Sequence, residues 1–188
     1  MPVIGQPAHA EPLVFMIERM KKIRWLAKHL ILVFDNNSPT ASSDIAIQSR
    51  GKRWYREMKK QAKRMVIRGS VSLDNDTGRI RITLYNQRFC DSHVLAEEIY
   101  HIVFKIIRNA EPEIFAAIQR WYGKQLRKGA DPTFSMPDMF SCSMALEESG
   151  HLTSLSRRLV KDTRNIFSKV YSMPDSTIKE IKSSWSTA

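Results

Sequence analysis

Glu97, Glu98 and His101 carry the most chemistry per residue in this chain. Glu97 and His101 are i, i+4, and Glu98 and His101 are i, i+3, so on a helix all three side chains reach toward one point. Two carboxylates beside an imidazole suit a metal ion, or an ion pair with basic residues elsewhere. Val94 and Phe104 fall within or beside the same arc, which a fully solvated face does not usually carry. The competing reading is an ordinary wet face, whose i, i+4 pairs contribute about 0.2–0.5 kcal/mol each. A second group of donors lies downstream at Cys142, Glu147, Glu148 and His151.

The elements that must hold these residues follow from periodicity. Residues 1–12 contain prolines and a glycine and read as an arm. A basic helical part spans 13–68: apolar residues recur at helical spacing from Leu13 to Phe34, and a second helix is expected from Lys52 to Met65. The period then changes to two. Residues 66–73 and 79–85 alternate apolar and polar side chains around Asp74-Asn75-Asp76-Thr77-Gly78, which predicts a β-hairpin over 66–85. Asp91 and Ser92 are N-cap types, and a strongly apolar helix is expected from His93 to Arg108. Pro112 opens another helix to about Lys128, and a last helical region runs from Pro137 to Val170. Helices around one small sheet make an α+β fold, read as a single domain over 1–188.

A strand, a short loop and then a helix bearing Glu97-Glu98-Ile99-Tyr100-His101 is the order found in zincin peptidases. The segment resembles His-Glu-x-x-His with its first histidine replaced by glutamate. The chain is similar over about residues 50–170 to the catalytic domain of anthrax lethal factor and the related pro-Pro endopeptidases. That resemblance implies a zincin-like fold in which an edge strand precedes the motif helix. It implies Glu97 and His101 as ligands of Zn²⁺, Glu98 as general base, and a third ligand from a later helix. Glu147 fits the third position by spacing, with Glu148 or Cys142 as alternatives. The implied reaction is metal-assisted hydrolysis of a peptide or protein substrate paired with strand 79–85.

The departures from the pattern have physical consequences. Two anionic ligands with one imidazole lower an ion's Lewis acidity and raise the pKa of its water. The group's transition-state tyrosine has no counterpart; Phe140 or Ser135 falls near its place. A missing oxyanion donor removes about 2.7–4 kcal/mol of transition-state stabilisation. The expectation is a degenerate or weakly active metallopeptidase-like domain.

Two other readings use overlapping residues. Glu98-x-x-His101 and Glu148-x-x-His151 are both Glu-x-x-His, the pair of motifs that builds a ferritin-like di-iron site, and Glu18, Glu57, Glu111 and Glu113 are its spare carboxylates. Gly150 weakens the second helix within its own motif, and the hairpin interrupts the bundle. The third reading rests on residues 50–68, where Arg53, Arg56, Lys59, Lys60, Lys63 and Arg64 surround Trp54 and Tyr55 with Glu57 as the lone acid. Such a surface suits nucleic acid or another acidic partner; the competing reading is a solvated helix with its apolar side turned to the core. Cys142 carries no local nucleophile signature and reads as a buried thiol.

Composition bounds all of these. The chain has 188 residues, 43% of them hydrophobic, enough for one packed core. Its longest apolar run, Leu30 to Phe34, is far too short to span a bilayer, and no secretory signal is evident, so no membrane span is expected. Two cysteines exclude a disulfide framework or an all-thiolate zinc cage and fit a reducing cytoplasm. The net charge of +11 points to an anionic partner.

Overall fold

The computed structural model describes residues 1–6, 28–35, 69–85 and 92–169, with single positions at 12, 14, 15, 18, 179, 182 and 183. The elements are β1 (Val3–Ile4), β2 (Leu30–Asp35), β3 (Gly69–Asp74), β4 (Arg79–Tyr85), α1 (Ser92–Ala110), α2 (Pro112–Arg127), α3 (Met136–Glu148) and α4 (Arg157–Lys169). Among the described residues, a small mixed sheet and four helices make the fold α+β.

The hairpin forms over the described part of its expected span; residues 66–68 lie outside the described residues. β3 and β4 pair antiparallel, with Val71 opposite Ile82 and Leu73 opposite Ile80. Gly78 closes the turn at φ +60°, a left-handed conformation that glycine adopts without a Cβ penalty. Asp74 anchors the turn: its carboxylate accepts from the Thr77 hydroxyl and, at 2.6 Å, from Arg81.

Leu30–Asp35 is a strand, whereas the apolar spacing of residues 13–34 predicts helix through Phe34. β2 lies parallel to β4, with Leu30 opposite Ile80 and Phe34 opposite Leu84. Leu30, Leu32 and Phe34 are buried, and so is Ile31 on the opposite side. A strand covered on both faces needs a continuous apolar run, which over five residues also satisfies a helical template. The arm is likewise partly structured: β1 extends the sheet parallel to β2, and Leu32 N donates to Pro2 O at 3.1 Å.

The strand order is β1-β2-β4-β3. Strand 79–85 is therefore paired on both sides and has no edge to offer a peptide, contrary to the expected substrate strand; β1 and β3 are the outer strands of the described sheet.

Helix α1 is the centre of the core. Leu95, Ile99, Ile102 and Ile106 are buried with Ile80, Ile82 and Leu84 of the sheet. The helix packs on β3 and β4 and also against α3, α2 and α4. Phe140 of α3 fills the junction, with its ring centroid 5.9 Å from Phe104 and 6.3 Å from Trp121. The expected final helix over 137–170 is two helices. α3 ends at Glu148, and Gly150 at φ +80° turns the chain before α4 starts at Arg157. No helix among the described residues is long and apolar enough to cross a membrane.

Candidate metal centre

The polar seam of α1 is set by how thoroughly the rest of that helix is buried. Val94, Leu95 and Ala96 are buried, as are Glu98, Ile99 and Tyr100, then Ile102 to Phe104. Between them His93, Glu97, His101 and Lys105, one every four residues, stay half-buried. A four-residue repeat advances only about 40° per step, so the four side chains form one stripe. Helix α3 presents its own i, i+4 pair, Asp138 and Cys142, both half-buried. Pro137 in the first turn and the Ser135 cap start α3. Ser135 Oγ accepts from Asp138 N while the Asp138 carboxylate accepts from Ser135, a capping box that fixes the register of α3.

Three donor atoms converge at one end of the seam. One ligand atom each from His93, Glu97 and Cys142 lie within 4.8 Å of one another. One turn further on, His101 Nε2 stands 3.9 Å from Asp138 Oδ1. Asp138 divides its carboxylate, with Oδ2 accepting from Ser135 Oγ at 2.6 Å and Oδ1 facing the imidazole. An imidazole nitrogen, a carboxylate oxygen and a thiolate are a borderline-soft donor set that suits zinc. Zinc bond lengths of about 2.0–2.3 Å imply ligand separations of about 3.3–3.8 Å. Closing from 4.8 Å takes a shift of roughly 1 Å, within the reach of side-chain rotation in half-buried residues.

The residues expected at the site are thus divided among several places. Glu97 is in the cluster, joined by Cys142, which the resemblance offers as an alternative third ligand. His101 lies one turn along the same seam, beside Asp138. Glu147 is turned away: its Oε1 accepts from Thr153 N at 3.0 Å and Thr153 Oγ1 at 2.7 Å, holding the loop after α3. Glu148 accepts from the Tyr100 hydroxyl at 2.8 Å. Glu98 is buried beneath β3, and a Cβ on Gly69 would stand only 2.5 Å from its Oε1. His151 is exposed in the loop beyond Gly150. The four residues of the di-iron reading therefore face a strand, an aspartate, a tyrosine and solvent. The basic residues Arg53, Arg56, Lys59, Lys60, Lys63 and Arg64 lie outside the described residues.

Two contributors, His93 and Asp138, are absent from the expected ligand set. The local signal for His93 is the repeat His93-x₃-Glu97-x₃-His101, which extends the Glu97/His101 pair by one turn toward the helix start. Asp138 has no such signal, because its register against His101 is set by α3 packing.

Lys105 ends the stripe, and its ammonium is pushed down to about 8, first by burial and then by the nearby Arg108 charge. Beside Cys142, the hydroxyl of Ser141 is fully buried and has no hydrogen-bond partner among the described residues.

Comparison of the chain with family profiles, with curated proteins and with solved structures yields no match.

Proposed function

We propose that the protein is a zincin-like metal-binding domain whose ion is held between α1 and α3 by His93, Glu97 and Cys142, with hydrolytic power largely lost. The observation that carries this reading is the convergence of three different donor types from two helices within 4.8 Å. Glu97 is common to this ligand set and to the one implied by the resemblance; His93 takes the imidazole role and Cys142 the third position.

A bound zinc ion would supply Lewis acidity at this point. The protein's own residues restrain that acidity. Glu97 and the Cys142 thiolate bring two negative charges to the centre, which lowers the electrophilicity available to a carbonyl. Glu98 stands about 100° round the helix from Glu97 and is packed under Gly69 at the start of β3. His101 and Asp138 lie next to the centre as a polar pair that can orient each other, as carboxylate–imidazole pairs do around metal ligands. Binding rather than turnover is the role this arrangement favours.

Cobalt(II) titration tests the reading, because a cobalt–thiolate bond produces an intense near-ultraviolet charge-transfer band. The expected result is one equivalent of Co²⁺ with that band, displaced by Zn²⁺. Cys142→Ser should abolish the band and His93→Ala should weaken affinity by about 10–100-fold, a loss of the size seen even for outer-shell residues. Glu147→Ala should leave the band unchanged. Absence of the band in the folded wild-type protein would overturn the proposal.

A further inference from the structure

A cleft of about 780 Å³ opens between α2 and α4, and none of the seam residues lines it. Its charge is divided lengthwise. At one end, Arg120 and Lys124 of α2 and Lys128 at its C-cap follow each other at i, i+4, i+8, all three exposed. Successive members rise by about 6 Å, so the row spans about 12 Å. At the other end stand Glu113 and Asp162, where Arg158 is 3.6 Å from Asp162 and so engaged.

The basic end faces two hydroxyls. Ser154 Oγ accepts the Trp121 indole N–H at 3.0 Å, and Ser156 Oγ accepts from Leu159 N at 3.2 Å at the start of α4. Each serine uses its oxygen as an acceptor in these bonds, which leaves its hydroxyl hydrogen able to donate toward the cleft. Ser156 also marks the positive end of α4, whose first-turn N–H groups favour anions.

We infer that this cleft binds single-stranded nucleic acid through its phosphodiester backbone, with Arg120, Lys124 and Lys128 along one wall and the Ser154 and Ser156 hydroxyls on the other. A line of cations suits a chain of evenly spaced charges better than a single small anion. Hydroxyl and backbone donors beside those cations are the groups that contact phosphate oxygens in such complexes. The net charge of +11 adds long-range attraction for a polyanion. Trp121 is only 7% exposed and its N–H is engaged, so the cleft offers no open ring for base stacking, and binding is expected to be indifferent to sequence.

Fluorescence anisotropy with a labelled twelve-nucleotide oligo(dT) tests this on the full chain. Three phosphate contacts predict a log–log salt slope of about −2, or roughly 20-fold weaker binding at 200 mM than at 50 mM salt. The variant Arg120→Glu/Lys124→Glu/Lys128→Glu should lose at least about tenfold in affinity with an unchanged thermal melt. A control with equal charge change on exposed residues outside the cleft, Arg108→Glu/Arg127→Glu/Lys161→Glu, should lose far less. Equal losses in both variants, no binding at 50 mM salt, or poly-glutamate competing as well as the oligonucleotide at equal charge would each overturn the inference.

Discussion

The Tyr100 hydroxyl donates to Glu148 Oε1 at 2.8 Å, joining the middle of α1 to the last residue of α3. Tyr100 is only 1% exposed, so its phenol needs a partner, and the carboxylate also gains a donor. Tyr100→Phe should therefore destabilise by about 1.5–3 kcal/mol, the range for a hydrogen bond to a charged group. Chemical denaturation reads this directly, and a loss below about 0.5 kcal/mol would show that the bond holds nothing in place.

Gly69 and Glu98 are matched by close approach. A methyl group at Gly69 would stand 2.5 Å from Glu98 Oε1 and 2.8 Å from its Cγ. Gly69→Ala should cost about 1–3 kcal/mol by overpacking. In a Glu98→Ala background the same change should be near neutral, because the obstructing side chain is gone. A double-mutant cycle measures that coupling; purely additive effects would show that the two residues do not meet.

Ser141 is buried with its hydroxyl unpartnered among the described residues. Removing a buried polar group that makes no bond recovers its desolvation cost, so Ser141→Ala should leave stability unchanged or raise it by up to about 1 kcal/mol. The midpoint of urea unfolding is the measurement, and marked destabilisation would reveal a partner for the hydroxyl.

The stability effect of Lys105 has a definite sign with pH. Burial, aided by Arg108, holds its ammonium near 8, below the ordinary lysine value. Between about pH 8 and 10.5 the unfolded chain binds more protons at this site than the folded one, so stability rises with pH across that window. Below pH 8 the group is charged in both states and its burial penalty is constant. Lys105→Met should thus gain on the order of 1 kcal/mol at pH 7, allowing for solvent screening, and that advantage should shrink by pH 10.5. Guanidinium unfolding of both proteins at the two pH values checks the trend; a gain that grew with pH would contradict it.

Much of the fold is local in origin. The alternation around Asp74 to Gly78, the apolar periodicity after Ser92, and the prolines at 112 and 137 each commit a short stretch of backbone by steric and hydrogen-bonding rules. Those elements form where the residues indicate. Leu30–Phe34 could not be assigned this way, because its strand character depends on covering both faces, and the cover comes from distant residues. Strand order is equally non-local: nothing within residues 79–85 says that β2 will occupy one edge and β3 the other.

The same division runs through the candidate centre. The period-four repeat places His93, Glu97 and His101 on one stripe of α1, and that much is inherent in the sequence. Choosing which of Cys142, Glu147 and Glu148 meets the stripe required tertiary structure, since the three sit on a helix whose rotation is fixed by Phe140 packing and the Ser135–Asp138 cap. That rotation turns Cys142 and Asp138 inward and sends the two glutamates to Thr153 and Tyr100. Side-chain types and helical spacing determine what chemistry is available, whereas packing between helices some forty residues apart decides which donors meet.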